Sequence, residues 1–229
     1  MPRLKTRDLS MYYTERGDGP PAVVLHAATS SGIQMGWLAI IMRAEGFNVI
    51  APDLRGHGQT PNPADDLHLT RLVDDLLEFV YLLGRGPVHG VGYSLGGGIL
   101  LYAARQQPDL FRSLALLGTS YRAPDQRRIT RAIGPPEDRD EATRAAFDPE
   151  KGVVVGWDAP LGSFRAILAP TLIMCGDRDE FSDPEDSVAL YRILPNAELL
   201  VVPHADHLGL VRHPMVHSAV REFYSHVPR

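Results

Sequence analysis

The stretch "GVGYSLGGG", Gly90 to Gly98, decides how the rest of the chain is read. A serine, Ser94, stands between glycines two positions to either side, and two more glycines follow. A bare G-x-S-x-G is short enough to arise by chance, so its surroundings carry the meaning. The residues before it, "GPVHGVG" (86–92), form a short apolar run that reads as a buried strand. Those after it, "LGGGILLYAARQQ" (95–107), read as a helix. Ser94 is therefore expected on a sharp strand-to-helix turn that lifts its hydroxyl over the C-terminal edge of a sheet. Gly92 and Gly96 keep side chains out of that turn, and the helix N-terminus offers partial positive charge to a developing oxyanion.

Outward from the turn, short Val-, Ile- and Leu-rich runs alternate with stretches of helical period. "PAVVLH" (21–26) and "GFNVIAPD" (46–53) read as strands upstream. "RSLALLG" (112–118), "APTLIMCG" (169–176) and "AELLVVP" (197–203) read as strands downstream. Leu69, Leu72, Val73, Leu76, Phe79, Val80 and Leu83 fall at helical spacing, and Gly84 supplies a stop. This pattern predicts an α/β fold: a mostly parallel sheet with helices on both faces and right-handed crossovers. One domain is expected over 1–229, which is long enough to bury a single sizeable core. The segment from about 119 to 160 breaks the alternation, being rich in charge and proline. It reads as a short lid insertion packed down by Tyr121, Ile129, Ile133, Phe147 and Trp157, with "GPP" (134–136) interrupting any long helix.

Bulk composition excludes several functions. A net charge of −5 and the lack of a basic run argue against nucleic acid or an anionic membrane surface as partner. No stretch reaches the length of a membrane span and the N-terminal residues lack a signal-peptide core, so a cytoplasmic location is expected. The single cysteine, Cys175, reads as a small core residue at a strand end.

A nucleophilic serine needs a base, and the base needs an orienting acid. His207, in "VVPHADHLGL", follows the last predicted strand and can return to the sheet edge; His204 in the same loop is its rival. Asp177 and Asp179, in "CGDRDEFSDP", sit at the same edge as candidate acids. His89 reads as a core residue, and His213, His217 and His226 as the polar face of a terminal helix. A metal site from His204, Asp206 and His207 is an alternative on residue type, although one short loop supplies all three.

These motifs together, with "VVLHAAT" (23–29) and "APDLRGHGQT" (51–60), resemble the α/β-hydrolase-fold family nearly end to end. The branch is that of small esterases, lactonases and cofactor-free haloperoxidases. The resemblance implies Asp179 as the acid, His207 as the base, and the amides of Leu95 and Ala28 as the oxyanion hole. Two departures stand out. "HAAT" puts Ala27 where the family usually has glycine, and Asp206, next to the proposed base, stands where the family commonly has glycine.

The reading is a serine hydrolase acting on a small-molecule ester, thioester or lactone with no metal or organic cofactor. Tyr93, Trp157 and Phe147 are candidate substrate contacts in an open, partly solvated site. Lyase, C–C cleavage or perhydrolase chemistry on the same residues, or a catalytically silent ligand-binding protein, are the alternatives.

Overall fold

The computed structural model describes residues 2–228. Its strands, in chain order, are β1 (Arg3–Lys5), β2 (Ser10–Arg16), β3 (Pro21–Leu25), β4 (Asn48–Pro52), β5 (Val88–Tyr93), β6 (Phe111–Leu117), β7 (Thr171–Gly176) and β8 (Ala197–Val202). They form one sheet in the order β1-β2-β4-β3-β5-β6-β7-β8. From β4 to β8 every neighbouring pair is parallel, while β1–β2 and β2–β4 are antiparallel. All six strands read from the sequence are present, with ends shifted by no more than two residues. The β1–β2 pair was not read from it: β2 ("SMYYTER") is mixed in polarity and is made a strand by pairing with β4, remote in sequence.

The chain enters the sheet centre at β3, moves to β4 on one side and returns to β5 on the other. The reversal opens a crevice at the carboxyl ends of β3 and β5, the place where open α/β sheets hold ligands. Side-chain alternation along β3 sorts the two faces. Val23 and Leu25 join the core under α2 (Leu69–Leu83) and α3 (Leu95–Gln106), whereas Ala22 and Val24 join the core under α1 (Gly36–Ala44) and the C-terminal helix Pro214–His226. The predicted stop of α2 is met: Gly84 caps it in the left-handed region at φ 64°.

Segment 119–160 is less loop-like than its composition suggested. It holds α4 (Gln126–Ile133) and α5 (Glu141–Ala146), capped by Asp125 and Asp140, whose carboxylates accept from the amides of Arg128 and Thr143. Gly134 ends α4, as the "GPP" interruption predicts. Ile129 is fully buried, and Tyr121, Phe147 and Trp157 pack partly buried against the core. Among the described residues no helix is long and apolar enough to cross a membrane.

Candidate active site

β5 runs directly into α3, and the residue between them is Ser94, with φ 54° and ψ −117°. A serine held at positive φ is strained and persists only where its surroundings over-determine it. Here the Ser94 amide donates to the Leu117 carbonyl (2.8 Å), and the Ser94 carbonyl accepts from Thr119 Oγ1 (3.2 Å) and the Gly98 amide (3.1 Å). A Cβ on Gly96 would lie 2.5 Å from the Leu25 carbonyl oxygen, and one on Gly92 equally close to the Gly96 backbone. Only glycine lets β3, β5 and α3 close up this far.

His207 opens the one-turn helix α7 (numbers 207–210) after β8. Its Nε2 lies 2.9 Å from Ser94 Oγ, and its Nδ1 lies 2.8 and 2.9 Å from the two Asp179 oxygens. Asp179 is buried, and its Oδ1 also accepts from the amides of Phe181 (2.9 Å) and Ser182 (2.8 Å). The carboxylate is thus anchored independently of the imidazole. The rivals point elsewhere. His204 is exposed and receives Arg178 at 2.6 Å, and Asp177 is exposed with its amide tied to Val202. Asp206 turns its carboxylate to the Gly209 amide (2.6 Å) and caps the helix that His207 begins. Among the described residues no group of three His, Cys, Asp or Glu side chains is placed to hold a metal.

Leu95 is the first residue of α3, where a helix amide has no partner within its own helix. Ala28, in the loop after β3, borders the same cavity as Ser94 and Leu95. His26 shapes that loop: its buried ring donates from Nδ1 to the Ala27 carbonyl (2.7 Å) and accepts the Leu54 amide at Nε2 (3.0 Å). Because a trans peptide sets C=O and N–H in opposite directions, fixing the Ala27 carbonyl on His26 turns the Ala28 N–H away from that ring. Burial, with His57 nearby, lowers the His26 pKa to about 4, so the ring is neutral.

Further residues support the relay from around it. Phe181 and Tyr93 flank the His207 imidazole with ring centroids at 4.8 and 5.1 Å. The Tyr93 hydroxyl donates to the His207 carbonyl (2.9 Å), and burial pushes its phenol pKa well up. Asp53 is buried and accepts the Gly32 and Gln59 amides at 2.7 and 2.8 Å, tying the loops after β3 and β4 together. His89, read as core, is fully buried against Ser113 (2.8 Å), and Cys175 is buried as well.

Residues 20–156 match the family profile described as alpha/beta hydrolase fold. The chain belongs to this family. A 2-(acetamidomethylene)succinate hydrolase of Mesorhizobium japonicum is 26% identical over 87% of this chain and 85% of its own length. An (E)-2-((N-methylformamido)methylene)succinate hydrolase of Acinetobacter baylyi is 34% identical, but over 48% of this chain and only 42% of its own. Among solved structures, one from work on carboxylesterases of the thaumarchaeon Nitrososphaera gargenis superposes with a TM-score of 0.76 at 21% identity, covering 97% of each chain. That likeness is one of fold.

In this α/β hydrolase two cavities meet at Ser94. The smaller, about 40 Å³, is walled by Leu95, Phe147, Val153, Val154 and Trp157. The larger, about 460 Å³, reaches past Tyr93, His207, Gln34 and Arg212. Ala28, Phe147 and Phe181 border both.

Proposed function

We propose that this α/β hydrolase is a serine hydrolase that cleaves a carboxylic ester, thioester or lactone through an acyl-enzyme on Ser94. The observation that carries the proposal is the unbroken relay from Ser94 Oγ through His207 to Asp179, with no link longer than 2.9 Å. His207 Nε2 takes the Ser94 proton as Oγ attacks the carbonyl carbon, and the new oxyanion lies between the amides of Leu95 and Ala28. Asp179 holds Nδ1–H and stabilises the imidazolium. As the C–O or C–S bond breaks, the imidazolium gives its proton to the leaving oxygen or sulfur. A water then loses a proton to His207, attacks the acyl carbon, and Ser94 departs with that proton. Proton and charge are restored at each turnover without a metal or organic cofactor. The matched succinate-derivative hydrolases support a small-molecule substrate.

Labelling with a fluorophosphonate tests the reading. The expected result is one adduct mapped to Ser94, lost in Ser94→Ala; an intact Ser94 after prolonged exposure would sink the proposal.

A further inference from the structure

The two cavities at Ser94 differ about tenfold in volume, roughly 40 against 460 Å³, and they are bordered by different parts of the catalytic apparatus. Leu95, whose amide faces the oxyanion, borders only the smaller. His207 borders only the larger. The departing oxygen or sulfur must receive the proton that His207 took from Ser94, so the leaving group lies on the His207 side. The attacking water is deprotonated by the same nitrogen and enters from that side too. The acyl chain is left with the smaller chamber.

That chamber has a fixed floor. The Trp157 ring rests on the α3 backbone at Gly98, where an added Cβ would come within 2.1 Å of its Cη2. The Trp157 indole Nε1 donates to the Val153 carbonyl (2.7 Å), and its ring meets Tyr102 edge-on at 5.6 Å. With these contacts the indole cannot retreat. Arg122 at the rim is paired with Asp186 (2.8 Å). At about 40 Å³ against about 460 Å³, the smaller chamber suits the lesser part of an ester, and its walls of Leu95, Phe147, Val153, Val154 and Trp157 suit an apolar one.

Resting on the serine-hydrolase reading, we infer that the smaller chamber is the acyl pocket, that Trp157 on Gly98 sets its depth, and that the substrate class joins a short, apolar acyl group to a bulkier, polar leaving group.

The test uses two matched ester series on the intact protein, p-nitrophenyl esters from acetate to octanoate and acetates of increasingly large polar alcohols, with wild type, Trp157→Ala and Trp157→Phe. In the wild type kcat/KM is expected to fall at least about tenfold from butanoate to octanoate, while the acetates vary by less than about threefold. Trp157→Ala is expected to raise octanoate relative to acetate at least about tenfold, and Trp157→Phe, which keeps a ring on Gly98, to raise it less. A wild type that prefers octanoate, or variants whose chain-length profiles superimpose on the wild type, would overturn the assignment. Fluorophosphonate labelling separates the two failures. A labelled Ser94 with the wrong chain preference removes only the chamber assignment, whereas an unlabelled and inactive Ser94 removes it together with the reading it rests on.

Discussion

The turn that carries Ser94 and the segment 119–160 that covers it are built on opposite principles. Around Ser94 the backbone itself is the structure: two strands and a helix close to within glycine contact, and the hydrogen bonds are main-chain or nearly so. Segment 119–160 is held to the core by side chains, apolar ones such as Ile129, Val153 and Trp157 and ion pairs of Arg122 with Asp186 and Arg128 with Asp183, both acids belonging to the start of helix α6 (Pro184–Ile193). Buried backbone geometry tolerates almost no change, whereas partly exposed ion pairs contribute little and weaken in salt. The molecule thus joins a turn defined by its backbone to a cover defined by its side chains, in which the ion pairs are the weaker part.

The largest expected effect breaks the rigid half. Ser94→Ala should lower kcat by about 10⁴-fold or more while circular dichroism and Tm stay near wild type, because one hydroxyl adds little to the fold. Undiminished turnover would show that the strained serine is not the nucleophile. Next comes the comparison of the two acids after β7. Asp179→Asn keeps the anchoring amides but leaves His207 in the wrong tautomer, and should reduce kcat by up to about 10⁴-fold. Asp177→Asn, exposed, should change it less than about threefold. The reverse ranking would assign the relay to the wrong carboxylate.

A smaller effect appears in stability against pH. The folded pKa of His26 is lowered to about 4 from an ordinary value near 6.5, so its contribution is present in full above about 6.5. Below that the unfolded chain binds the proton more readily, and the contribution is lost as pH falls toward 4. The span corresponds to about 3 kcal/mol. Urea melts of wild type and His26→Gln at pH 7 and pH 4.5 should show the wild type losing more stability between the two. Equal losses would refute the buried neutral ring. The smallest effect concerns the cover: Arg128→Ala should shift stability by less than about 1 kcal/mol, and by less still in 1 M salt. A loss of several kcal/mol would mean that segment 119–160 is an integral part of the core.

The contrast also explains what could be read in the chain. The parallel strands and α2 are legible because burial on both faces demands continuous apolar runs, and a single buried face demands helical period. The elbow is legible because its crowding leaves glycine at Gly92 and Gly96 no substitute. The partners of Ser94 were narrowed to two histidines and two aspartates, and only the family resemblance ranked them. Three lie in loops and His207 opens a single helical turn, too short for any period to say which side chain turns inward. The roles of Phe181, Thr119 and Asp53 leave no local mark, because each includes a contact with a residue far off in the chain: His207, Ser94 and Gly32. In segment 119–160 the charges that read as loop are helix caps and ion pairs.

The positive φ of Ser94 bears on how such a protein drifts. A non-glycine residue held in that region costs about 1–3 kcal/mol, and glycine would sit there at ease. Ser94→Gly should therefore melt at a higher temperature than the wild type and do nothing to an ester. Thermal robustness alone favours the glycine variant, and under the proposed function the chemistry is what opposes it.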